Sequence, residues 1–256
     1  MGIGLKKSGL LMGIALVGMI SLGALNVDAA TKTIAPGYFT NVKDKMYFKT
    51  TKKIKLGIYT NALGDSVGKS FYAPKNSIVQ LAKTRDSHGK VYALFSLVGT
   101  LNYNVTKSSV NHILMPIGVP LKKSNFKLVN VKPSKFVYKQ FLMGKPSTND
   151  NVDQFMITLD NYIEFYKKGA LAGMAKPLLS DKILKITETS KATYLYLKNN
   201  NKYLPAQKLN SGVYRLKVTQ GANVKVSMGE GYYQSNATYT FGHKAVWNEL
   251  ASFSKR

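Results

Sequence analysis

Asp160 and Glu164 are the nearest approach this chain makes to a catalytic pair. A glycosidase needs two carboxylates across a sugar-sized gap. On a helix, the spacing of Asp160 and Glu164 puts both on one side. Acids on a solvated helix face are ordinarily solubilising, and Glu164 also stands in the favourable order to pair with Lys168. His88 follows Asp86 and Ser87, the residue types of a hydrolase triad. A triad holds its base between the other two groups, which three neighbours in one turn do not achieve. With Gly89 they read as a turn, because Asp, Ser and Gly favour turns for conformational reasons. His112 and His243 stand far from His88, and there is no Cys, so the paired ligands of a zinc site are missing. Gly64-Asp-Ser-Val-Gly68-Lys-Ser70 is one residue short of a phosphate loop. No catalytic residue, metal ligand or cofactor is expected on these grounds. Asp160, Glu164 and His88 are the first suspects if the protein is a wall- or polysaccharide-active hydrolase.

The strong signal is basic residues interleaved with tyrosine. The chain has 256 residues with 37 Lys and Arg against 12 Asp and Glu, and 16 Tyr against one Trp. Many Tyr adjoin a cation, as in Lys45-Met-Tyr47-Phe48-Lys49, Tyr138-Lys139, Lys202-Tyr203 and Tyr214-Arg215. Such a charge repels itself unless counter-charge binds. A polyanion supplies it and gains from counterion release. Tyrosine adds flat faces that stack on sugar rings while the hydroxyl stays in water. The candidate binding residues are Lys52, Lys53, Lys55, Tyr59, Lys191, Tyr194, Tyr196, Lys198, Lys202, Tyr214 and Arg215.

The address is read from the first residues. Lys6 and Lys7 precede an apolar run, Leu10 to Leu25, and Val27-Asp-Ala29-Ala30 follows. A basic start, an apolar run and a small-residue site make residues 1–30 a secretory signal peptide. Cleavage removes Lys6, Lys7 and Asp28, so the basic and acidic counts fall from 37 and 12 to 35 and 11, a net +24. Without Cys a lipoprotein is excluded, and an export of this size without disulfides fits a Gram-positive bacterium. Phe253-Ser254-Lys255-Arg256 carries no sorting motif, so retention by non-covalent attraction is expected.

The positioning elements are expected as follows. Residues 31–45 read as a linker with a Pro36-Gly37 turn. Residues 46–140 read as a basic β module, with strands at Ile54–Tyr59 and Val91–Val98. Residues 148–180 read as a helical connector. Within it Val152, Phe155, Met156, Leu159, Tyr162, Ile163 and Tyr166 share one helical face. Asn149 or Asp150 caps its start, Asp150 and Asp153 oppose Lys167 and Lys168 along the dipole, and Gly169 closes it. Residues 182–256 read as a second basic β module. Its last segment, with Val246, Trp247, Leu250 and Phe253, reads as a short terminal helix. The expected fold is therefore mainly β with one central amphipathic helix between two small SH3-like β-barrel or β-sandwich modules.

Ser190-Lys191-Ala-Thr-Tyr194-Leu-Tyr196-Leu-Lys198-Asn-Asn-Asn-Lys202 resembles the opening strand and loop of the basic cell-wall-binding modules of S-layer and S-layer-associated proteins of lactic-acid bacteria. Lys75-Asn-Ser77-Ile-Val-Gln-Leu81 and Gly89-Lys-Val-Tyr92 are similar to the middle strands of such a module. The family usually has Gly before the middle strand, where this chain has Asn76. The resemblance implies attachment to anionic wall polymers of the teichoic-acid type. The expected function is a secreted, non-enzymatic cell-envelope protein binding such polymers through a basic, Tyr-rich surface. A hydrolase, or an adhesin for acidic host glycans, is the alternative. No nucleotide and no membrane span after cleavage are expected.

Overall fold

The computed structural model describes residues 39–41, 45–107, 111–147 and 151–255, the last five by their backbone alone. The expected signal peptide and most of the expected linker lie outside the described residues. The chain is nearly all β, with 57% strand and 2% helix.

The first half is built from nine short strands. They are β1 (Thr40–Asn41), β2 (Tyr47–Thr50), β3 (Ile54–Thr60), β4 (Ser66–Ala73), β5 (Ile78–Ser87), β6 (Lys90–Ser96), β7 (Ile113–Pro116), β8 (Val119–Pro120) and β9 (Phe126–Val129). A one-turn helix α1 (Tyr103–Thr106) lies between β6 and β7. One sheet runs β8-β6-β5-β2-β9, with β1 also on β5; the other runs β4-β3-β7. Phe48, Leu56, Phe71, Val79, Phe95 and Phe126 meet between them in one apolar cluster. His88 and Gly89 both have positive φ, 51° and 69°, the conformation a two-residue hairpin requires. The Asp86-Ser87-His88 trio is therefore the β5–β6 turn, with Asp86 Oδ1 accepting from Gly89 N at 3.1 Å. Asn76, where the resembling modules have Gly, takes a φ of 70°, a region Asn tolerates.

The second half closes on itself. Its strands are β10 (Gln140–Met143), β11 (Gln154–Ile157), β12 (Tyr162–Tyr166), β13 (Leu179–Glu188), β14 (Thr193–Leu197), β15 (Gln207–Lys208), β16 (Tyr214–Gly229), β17 (Tyr232–Phe241) and β18 (Lys244–Lys255). Pairing runs β14-β13-β12-β11-β10-β18-β17-β16, and β16 returns to β14, so eight strands form a closed barrel, and β15 pairs with the start of β16. Neighbours in this ring are antiparallel. A barrel of this strand number has an interior that side chains can fill. Phe141, Phe155, Phe241, Leu195, Leu197 and Leu216 fill it, each 0% exposed.

The expected central helix does not exist. Residues 154–166 form the β11–β12 hairpin, with Phe155 opposite Phe165 and Ile157 opposite Ile163. Asn161 takes a φ of 63° in the loop between them, the left-handed residue that ends a three-residue hairpin loop. Both faces of this hairpin are covered. Phe155, Ile157, Ile163 and Phe165 point into the barrel. On the outer side Met156 and Tyr166 pack with Ala175, Ala170 and Ala172. A strand buried on both faces shows no alternation, and its continuous apolar run matches helical spacing by coincidence. The expected terminal helix is likewise overturned. Lys244–Lys255 is strand β18, with Trp247, 1% exposed, opposite Leu142 and Thr238. With eight strands in one ring, the second half is not a small SH3-like module, and the hairpin of residues 154–166, expected to be helical, is part of the barrel.

Candidate functional site

The two suspect carboxylates do come together, at the junction of the halves. Asp160 lies in the β11–β12 loop and Glu164 on β12. Asp160 Oδ2 accepts from Asn102 N at 3.2 Å and Asn102 Nδ2 at 2.6 Å, and Oδ1 accepts from Thr158 Oγ1 at 2.6 Å. Glu164 is 1% exposed. Its Oε1 accepts from Tyr103 N at 2.6 Å and Ser180 Oγ at 2.9 Å, and its Oε2 from Tyr166 OH at 2.6 Å. Burial pushes the Glu164 carboxyl above its ordinary value, against the pull of these hydrogen bonds. Burial also raises the Tyr166 phenol, helped by the adjacent Glu164 charge. Leu159 N and Asp160 N donate to Gly99 O and Thr100 O, and the Tyr138 hydroxyl meets Thr100 Oγ1 at 3.1 Å. Both acids are thus occupied in fastening Asn102 and the first residue of α1 to the barrel. Each carboxylate already accepts three of the about four hydrogen bonds its lone pairs allow.

The outward face of β12, β13, β14 and β16 carries a different arrangement. On β14, Leu195 and Leu197 point into the barrel, so Tyr194 and Tyr196 point out. On β16, Leu216 and Val218 point in, so Arg215 and Lys217 point out. Register sets Tyr196 between Lys185 of β13 and Arg215 of β16, and Tyr194 opposite Lys217. The Arg215 guanidinium lies 5.2 Å from the Tyr194 ring centre, Lys185 Nζ 6.0 Å from that of Tyr196, and Lys182 Nζ 4.7 Å from that of Tyr162. Arg215 gives one hydrogen bond to Gln207 Oε1, at 3.1 Å, and so keeps most of its donors for a ligand. These cations face rings across the strands, not carboxylates. Contacts of this kind contribute about 0.5–1 kcal/mol each at exposed sites.

Meanwhile acids are withdrawn from the surface. Glu164 and Asp181 are 1% and 7% exposed, and burial raises the carboxyl of each. This leaves the outside more positive than composition alone suggests.

The other expected binding residues divide. Lys52 and Lys53 are exposed before β3 and Lys55 is half-buried on it. Lys53 Nζ lies 5.2 Å from the centre of the Tyr72 ring, giving the first half a smaller patch of the same kind. Tyr59 does not belong to it. Its ring is 7% exposed in the core, and its hydroxyl donates to Thr106 O. Tyr214 also falls on the inner side of its strand and packs against the barrel core. Lys191 and Lys198 are exposed at the two ends of β14, and Lys202 lies over Tyr203 in the following loop. Four members of the outward ladder, Tyr162, Lys182, Lys185 and Lys217, were not among the expected residues. The alternation of β14 and β16 marks Lys217, but the other three need the register of β12 and β13. Among the described residues no group of three His, Cys, Asp or Glu could hold a metal ion. No family model, characterised protein or solved structure matches the chain.

Proposed function

We propose that this is a secreted, non-enzymatic protein of a Gram-positive cell envelope that binds anionic wall polymers of the teichoic-acid type. The outward ladder Lys185–Tyr196–Arg215, with Tyr194 and Lys217 beside it, carries the reading. Lys185 and Arg215 stand two strands apart, about 10 Å, so a polymer crossing the strands meets cation, ring and cation in turn. The cations release counterions from the polymer, and the rings stack on its sugars. The stretch that resembles wall-binding modules, Ser190 to Lys202, is also the stretch that supplies Tyr194 and Tyr196.

The test is co-sedimentation with teichoic-acid-bearing walls across a salt series. Affinity should fall steeply with salt. Changing Lys185, Arg215 and Lys217 together to Ala should make the slope of log affinity against log salt shallower by about 2, at about 0.7 per lost contact. Binding indifferent to salt, or unchanged on walls stripped of anionic polymer, would refute the proposal. Preference for sulfated host glycans over wall polymers would favour the adhesin.

A further inference from the structure

We infer that the groove beside β13 is a sugar-ring subsite, so the polymer bound is an acidic glycan and not a bare phosphate chain. This rests on the polyanion reading above and narrows it. The groove runs between β13 and the segment that joins β9 to β10. Leu159, Ile183, Pro133 and Leu184 give it an apolar lining, and Lys132 and Lys185 line it with charge.

The pairing of β13 with β14 builds one side of it. Register moves from Ile183 opposite Leu197 to Lys185 opposite Tyr196, so Leu184 is an extra residue on β13. Such a bulge re-aims side chains, and here Lys185 stands opposite Tyr196 with Leu184 next to it on the strand. Leu184 is 51% exposed. An isolated exposed leucine needs no explanation. This one lines a groove together with Pro133, Leu159, Ile183 and two lysines, one of which, Lys185, belongs to the ladder. A sugar ring has an apolar face for Leu184 and Pro133, hydroxyls at its rim, and an acidic substituent for Lys132 and Lys185. Glu188 and Ser134 also line the groove. Glu188 offers an acceptor to sugar hydroxyls, which a bare phosphate chain does not have. The charge complementarity and the mixed lining together select the acidic glycan.

Two polyanions test this: dextran sulfate, which carries sugar rings, and long-chain inorganic polyphosphate, which does not. Leu184→Ser removes apolar lining at an exposed position without changing charge. The affinity for dextran sulfate should fall about fivefold, the effect of losing one partly buried aliphatic contact. The affinity for polyphosphate should not change, and Leu184→Phe should restore dextran sulfate binding. Equal effects on both polymers, or no effect on either, would overturn the subsite and leave the polyanion reading intact. If the unaltered protein bound neither polymer, both readings would fall together.

Discussion

Glu164 is the side chain whose removal has the most predictable cost. Glu164→Ala leaves Tyr103 N, Tyr166 OH and Ser180 Oγ without their acceptor in a site 1% exposed. The two hydroxyls can rotate toward other acceptors, but the backbone N–H cannot. An orphaned buried donor costs about 1–3 kcal/mol, so a loss of about 3 kcal/mol is expected. Glu164→Gln keeps the shape and an oxygen for Tyr103 N, and lets Tyr166 OH accept instead of donate. Its stability should therefore differ from the natural protein mainly through charge. Burial raises the Glu164 carboxyl above its ordinary 4.5, so the folded state holds a proton that the unfolded state releases. The stability this gives is fully present below 4.5 and is lost as pH rises through the folded value. The Gln variant cannot lose it. Asp181 remains in both proteins and cancels in the difference. Urea unfolding of the natural protein, Glu164→Gln and Glu164→Ala from about pH 4 to pH 8 reads this directly. Relative stability should move in favour of Gln as pH rises. Parallel pH curves for the natural protein and the Gln variant, or an Ala variant within about 1 kcal/mol of natural stability, would refute the reasoning.

Two further substitutions probe the barrel itself. Gly242, at the β17–β18 turn, has a φ of 63°, and an added Cβ would lie 2.6 Å from Pro205 O. Gly242→Ala should cost about 2 kcal/mol or more through strain and displacement of the loop carrying Pro205, and a melting temperature within a degree or so of the natural one would count against it. Phe141 is 0% exposed and packs against Phe136, Tyr239 and Phe241. Phe141→Ala should cost about 3–5 kcal/mol by denaturant unfolding, and a much smaller value would mean that the barrel interior collapses readily around the gap.

Where strands were exposed on one face, the pattern in the residues was readable. Thr193-Tyr-Leu-Tyr-Leu197 alternates because the barrel interior takes one set and solvent the other. Asp86-Ser-His88-Gly89 could be recognised as a turn because Asp, Ser and Gly favour turns, and the structure puts its two positive φ angles at His88 and Gly89. The sequence likewise determined the excess of cations and the pairing of cations with tyrosine, both properties of composition. The β11–β12 hairpin was not readable. Its outer face is covered by residues 167–177, which come later in the chain, so nothing local distinguishes it from a buried helix. Asp160 and Glu164 illustrate the same point. Their spacing suggested one side of a helix, yet a hairpin brings them together and Asn102 and Tyr103, some sixty positions earlier, determine what they do. Tyr59 and Tyr214 had the composition of binding residues, but the direction of each side chain depends on which face of its strand the core covers. The ladder follows the same rule. Local residues supplied its rings and charges, while ring closure and strand register decided which of them share a surface.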